Sequence, residues 1–187
     1  MKSPWSFVVK PIGGSRYVNQ KTIGDVDLII NASEENHKAS NRMGVVIDLP
    51  IGYQGDISTG DILLVHHNVF KYYNDMYGKK KSGKSFLKDD LFLVDQEQFY
   101  MYKKNRQWVA HDKNCFIKPI KKLNRSIHIN DKEEPLMGQM VYPNGYIKTM
   151  GVEVGDIVGY KPKCNYEFNV DGQKLYRVFD HQITMVL

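Results

Sequence analysis

Cysteine is scarce in this chain of 187 residues: Cys115 and Cys164 are the only two, far apart and outside any C-x-x-C spacing. That excludes a disulfide-stapled secreted scaffold and a cysteine-held zinc site, and it fits a reducing compartment. Long hydrophobic runs are missing as well; none approaches the roughly eighteen apolar residues that span a bilayer. The opening Met1-Lys2-Ser3-Pro4-Trp5 leads into a strand-like run rather than the apolar core of a signal peptide, so a cytoplasmic protein with no membrane span is expected. No Ala/Leu/Glu-rich stretch is present to build a helical bundle. Charge of one sign is missing too. The net charge is +5, with 14 basic against 12 acidic residues up to Lys104 and 12 against 9 beyond it, so neither half is a polybasic arm. Nucleic acid is disfavoured as a partner on that ground.

What the chain does contain is short apolar runs broken by Gly, Asn, Asp and Lys, with 12 Tyr and 8 Phe. Aromatic and β-branched residues between turn formers predict an all-β protein. The runs also recur. Phe7-Val8-Val9-Lys10-Pro11-Ile12 returns as Phe116-Ile117-Lys118-Pro119-Ile120, each copy after a tryptophan, Trp5 and Trp108. Met43-Gly44-Val45-Val46-Ile47 returns as Met137-Gly138-Gln139-Met140-Val141. Gly60-Asp61-Ile62-Leu63 answers Gly155-Asp156-Ile157-Val158, with Gly-Asp opening a strand each time. Leu91, Phe92, Val94, Gln98 and Met101 match Leu175, Tyr176, Val178, Gln182 and Met185 in spacing. Four blocks in one order predict an internal duplication: two tandem small β-barrels, residues 1–104 and 105–187.

The copies differ in their insertions. Residues 24–44 hold an isolated aliphatic triplet, Leu28-Ile29-Ile30, followed by a polar run with neither strand nor helix period. That combination reads as a long mobile loop carrying a docking peptide, or else as an ordinary core strand. A second insertion spans about residues 68–90, and the second copy is shorter in both places.

This order of blocks resembles the GroES-type co-chaperonin family: a Val-Val-Lys strand, here Val8-Val9-Lys10; a mobile loop with an aliphatic tripeptide, here Leu28-Ile29-Ile30; a Gly-Val-Val strand, here Gly44-Val45-Val46; and a Gly-Asp turn and strand, here Gly60-Asp61-Ile62-Leu63 and Val154-Gly155-Asp156-Ile157-Val158. The resemblance covers nearly the whole chain twice. It implies two irregular GroES-like barrels and a non-enzymatic lid that binds the apical domains of a GroEL-type, ATP-driven chaperonin ring through Leu28, Ile29 and Ile30. It also implies that the lid encloses a non-native client. In the second copy the corresponding segment, Lys121 to Pro135, offers Ile127 and Ile129 with His128 between them, a possible second loop. The spans Ile47–Gly60 and Val141–Gly155 are short for the family's roof hairpin, which implies an open roof, as in phage-encoded co-chaperonins, a host-cytoplasm location and a capsid protein as client. A homo-oligomer, a heptameric ring of chains with the two copies in layers, is the implied assembly. The alternative is a structural ring or connector component of a virus particle that uses the same barrel for oligomerisation.

Other chemistry is weakly offered. Gly78 to Ser85 matches the P-loop expression G-x-x-x-x-G-K-[ST], but no helix-length segment follows before the strand at Leu91; a solvated hairpin tip is expected. His66 and His67, adjacent on a strand, would face opposite sides and could not chelate together. Tyr72, Tyr73, Tyr77, Tyr100, Tyr102 and Trp108 could stack nucleic-acid bases, yet in a barrel such residues pair across strands. No metal, cofactor or catalytic constellation is expected.

Overall fold

The computed structural model describes residues 2–13, 20–23, 26–29, 40–78, 80–122 and 133–187, and for 20–23, 26–29, 72–74 and 80–82 the backbone alone. The chain is all-β and divides into two compact units, Met1–Gln107 and Trp108–Leu187. In order, the first eleven strands are β1 (Phe7–Pro11), β2 (Gln20–Ile23), β3 (Val26–Ile29), β4 (Met43–Asp48), β5 (Ile62–Val65), β6 (Tyr72–Asn74), β7 (Lys80–Ser82), β8 (Phe86–Lys88), β9 (Leu91–Val94), β10 (Phe99–Lys104) and β11 (Gln107–Ala110). There follow β12 (Asn114–Lys121), β13 (Glu133–Tyr142), the helix α1 (Gly145–Thr149), β14 (Ile157–Tyr160), β15 (Tyr166–Val170), β16 (Gln173–Phe179) and β17 (Ile183–Val186). Among the described residues no helix is long and apolar enough to cross a membrane.

The strands form a seven-stranded sheet, β11-β10-β5-β4-β1-β9-β8, and a six-stranded sheet, β15-β16-β12-β13-β14-β17. Neither closes on itself among the described residues, so each keeps two edge strands where the barrel expectation required none. The ribbons β2-β3 and β6-β7 stand apart from both sheets.

Within each unit the central strand has the same partners in the same register. Val9 faces Val46 and Pro11 faces Gly44; Ile117 faces Met140 and Pro119 faces Gly138. Both ladders slip just before those pairs, between Val8 and Val9 and between Phe116 and Ile117. On the other side Phe7 faces Val94, and Cys115 faces Val178. Pro11 ends β1 as its missing N–H dictates, but β12 runs past Pro119 to Lys121 by slipping register again between them.

The Gly-Asp blocks explain themselves in this frame. Gly60 and Gly155 take φ +94° and +103°, a region that side chains with Cβ avoid. Their amides donate to Val46 O and Met140 O, both at 2.8 Å. The Asp61 and Asp156 carboxylates accept from the amides of Ser58 and Glu153, again both at 2.8 Å. Glycine turns the chain and aspartate pins the turn, which delivers β5 and β14 to their ladders.

One buried cluster of each unit shows a difference in composition, although the second unit also buries the Phe116–Phe168 pair. The first unit packs Phe7, Phe70, Phe92, Phe99 and Tyr102 around Val9, Val46 and Leu63, with edge-to-face pairs Phe7–Phe99 at 5.5 Å and Phe70–Phe92 at 5.0 Å. The second packs Cys115, Ile117, Met140, Ile147, Val152, Val158 and Val178 with two tyrosines.

Candidate functional site

The docking residues expected from sequence lie between β1 and β4. Leu28 and Ile29 occupy β3, in register with Lys21 and Gln20 of β2, whereas Ile30 lies outside the described residues. Thus part of the stretch expected as irregular loop is a two-stranded ribbon. Such a ribbon is marginally stable alone in water and gains from being held against another surface.

Its root is fixed. The Ile12 amide donates to Met43 O at 2.9 Å, continuing the β1–β4 ladder by one bond. Asn41, 5 % exposed, donates from Nδ2 to Ile12 O at 2.7 Å and accepts from the Met43 amide at 3.0 Å through Oδ1. One buried amide therefore ties both ends of the insertion together and satisfies two backbone groups that would be costly to leave without partners. Sequence reasoning missed Asn41 because a single asparagine in a polar run carries no period.

In the second unit the corresponding segment leaves the same place, between β12 and β13, and Lys121 faces Glu133 at its root. Ile127 and Ile129 lie outside the described residues. By register the counterpart of Asn41 is Pro135, which cannot make the clamp. A different tie stands nearby: Glu133 accepts from Lys174 Nζ at 2.7 Å and from Tyr176 OH at 2.5 Å. Burial pushes the Glu133 carboxyl up, but those two hydrogen bonds and the lysine charge together hold it below its ordinary value.

The terminal strands differ most. β10 is interior to its sheet, and Met101, facing Leu64, is fully buried. β17 is an edge; Met185, facing Gly159, is 53 % exposed, Val186 48 % and Leu187 70 %. An apolar edge strand offers backbone hydrogen-bonding groups and side-chain surface to a further strand.

The remaining singled-out residues fall elsewhere. Within Gly78–Ser85, Lys80–Ser82 is strand β7, paired with β6, and the next element is β8, so a strand follows where a nucleotide-binding loop has a helix. The exposed tip of that ribbon is Met76 and Tyr77. His66 and His67 lie just past β5 in a turn, so the strand alternation expected for them does not hold; their rings tilt together with centroids 4.0 Å apart. Tyr100, Tyr102 and Trp108 are buried, which leaves no stacking platform among these three. The two cysteines are not bonded to each other, and burial drives the Cys115 thiol up to about 11, which makes it inert. No group of three metal-ligating side chains gathers among the described residues.

The short span expected to lack a full roof hairpin holds turns and no strand between Leu49 and Asp61, while its counterpart holds α1. Asn144 caps α1 by accepting from the Ile147 amide at 2.8 Å and also donates to Asp112 O and to the Asp180 carboxylate. The chain matches no family model and no curated protein.

Proposed function

We propose that this chain is a non-enzymatic co-chaperonin of the GroES type, in which two GroES-like β units form the scaffold and the ribbon carrying Leu28 and Ile29, with Ile30 beyond it, docks into the apical groove of a GroEL-type chaperonin ring. The observation that carries the reading is the placement of that aliphatic segment. It sits on a ribbon separate from the main sheet and tied at its root by Asn41. Each aliphatic side chain buried in a groove contributes about 1.5–3 kcal/mol before ordering costs. Single-copy affinity is therefore low. Several loops on one ring raise the effective concentration of the rest and make binding tight yet reversible.

The apolar edge of β17 supports a homo-oligomer, since strand pairing between copies covers such an edge. In this reading the ring is heptameric and cytoplasmic, the hydrolysis belongs to the partner, and the client is a non-native protein such as a capsid subunit. The test mixes the protein with a chaperonin ring and ATP. Co-migration, a lowered ATPase rate, a native mass of seven or fourteen chains and loss of binding in Ile29→Ser are expected. Absence of co-migration, with the protein found instead in virus particles, overturns the lid and supports the connector role.

A further inference from the structure

Away from the docking ribbon, the first unit contains a pocket of about 490 Å³ lined by His66, Asn68, Lys71, Lys84, Ser85 and Glu97, among others. That volume suits a small molecule. Its wall is the Gly83-Lys84-Ser85 end of the P-loop-like sequence, held by backbone bonds on several sides. The Gly83 amide donates to Lys71 O at 2.9 Å, the Phe86 amide to Gly83 O at 3.1 Å, and the Leu93 amide to Ser85 O at 2.6 Å. A Cβ at Gly83 would collide with the Lys71 carbonyl, so only glycine lets the two segments meet.

The polar groups brought together are mostly donors. Ser85, buried, accepts from Gln98 Nε2 at 3.3 Å and keeps a hydroxyl proton to donate. His66, also in the lining, accepts at Nδ1 from the Asn68 amide at 3.2 Å, which ties its ring to the neighbouring backbone. Lys71 and Lys84, both in the lining, are exposed, and neither pairs with a carboxylate among the described residues. Glu97 is the single acidic residue of the lining.

We propose that this pocket binds the phosphate group of a small molecule, with Lys71 and Lys84 supplying charge and Ser85 supplying a hydrogen bond. The sequence match to a P-loop survives here as chemistry rather than as fold. Its lysine and serine reach an anion pocket although β8 follows them in place of a helix. Without a helix N-terminus the positive charge comes from exposed side chains, so binding weakens with added salt.

Equilibrium dialysis of the full chain against labelled inorganic phosphate, and in parallel against ATP without magnesium, tests the site. One saturable site per chain is expected for at least one of the two probes. Tighter binding of ATP means that the pocket also holds the rest of the nucleotide, and equal binding means that it holds phosphate alone. The pair Lys71→Gln with Lys84→Gln weakens binding at least about tenfold. Glu97→Gln, which removes the like charge, tightens it several-fold. Lys148→Gln with Lys161→Gln, matched in charge and located in the second unit, leaves it unchanged. Absence of saturable binding for both probes overturns the site. So does equal weakening by the two lysine pairs, which assigns the effect to net charge. Unchanged circular dichroism of each variant shows that folding is not the cause.

Discussion

In the first unit the strand that closes the repeat lies inside its sheet with Met101 fully buried, while in the second the strand at the same register is an edge with Met185 half exposed. The backbone pattern leading to each is the same: a Gly-Asp turn, then a β5-like strand, then a turn in which Gln98 or Gln182 bonds back through its side chain to the amide of Asp95 or Phe179, both at 2.9 Å. Two copies of one scaffold thus reach different ends. The first places Phe99 and Tyr102 of its terminal strand in its own core, and the second leaves an apolar edge exposed. A shared hydrogen-bond frame fixes where strands go, whereas the residues on them decide which surfaces are left for partners.

The largest effect expected from this contrast is in the methionines. Met101→Ala removes a fully buried side chain and costs about 2–5 kcal/mol of stability. Met185→Ala in the monomeric chain changes stability by less than about 0.5 kcal/mol, as a surface substitution does. Denaturant titration, with hydrogen exchange to resolve the two units, compares them. Equal costs would mean that β17 is as covered as β10 and would break the contrast. In the assembled protein Met185→Lys is expected to shift the native mass toward the single chain, and an unchanged mass would remove β17 from the assembly.

A smaller effect separates the two Met-Gly blocks. A Cβ on Gly44 would collide with Val9 and come within 2.8 Å of Phe70 and 3.2 Å of Lys10 O, whereas on Gly138 its nearest neighbours are Lys118 O at 2.9 Å and Ile117 at 3.2 Å. Gly44 faces a rigid aromatic core on one side and a backbone on the other. Gly44→Ala is therefore expected to cost about 1–3 kcal/mol by overpacking, and Gly138→Ala measurably less. The reverse order in unfolding midpoints would show that the surroundings of Gly138 are the less yielding of the two.

These contrasts also indicate what a sequence can convey. The β1, β4, β5 and β9 blocks and their counterparts were legible because the same residues recur at the same spacing and each carries a local reason, such as the missing N–H of Pro11 or the positive φ of Gly60. The helix α1 was not legible. Five residues are too few to show a 3.6-residue period, and only the Asn144 cap marks its start. Nor was sheet closure, which depends on whether β8 finds β11 across many residues of chain, a long-range matter that no local pattern encodes. Of the candidate site, the position of Leu28 and Ile29 was readable as an isolated apolar run, but the ribbon was not, since its register rests on pairing with Gln20 and Lys21, which show no alternation. Asn41 acts through two backbone groups, and such a role leaves no trace in the identity of its neighbours.

The smallest effect concerns acid. Burial lowers the His111 pKa from its ordinary 6.5, against the opposing charge of Asp112. The register that matches Cys115 to Phe7 puts Ser3 at the equivalent place, where Ser3 Oγ accepts from the Ser6 amide at 3.1 Å and nothing titrates. With the folded value below the unfolded one, the unfolded chain takes up the proton first as pH falls. Stability is then full above about pH 6.5, declines as pH drops toward the folded value, and is level below it. Glu133 has its own window: its carboxyl is held below 4.5, so the stability it adds is present above that value and lost as pH falls through the lowered one. Because the Glu133–Lys174 pair is partly exposed and screened by solvent, that second decline is small. Hydrogen exchange around Cys115 and Ile117, corrected for intrinsic rates, is expected to accelerate between pH 7.5 and 5.5, and His111→Asn is expected to flatten that slope while leaving the one below pH 4.5. If the slope survives the substitution, the acid sensitivity belongs to another group, and the second unit is not distinguished from the first by the histidine at its entrance.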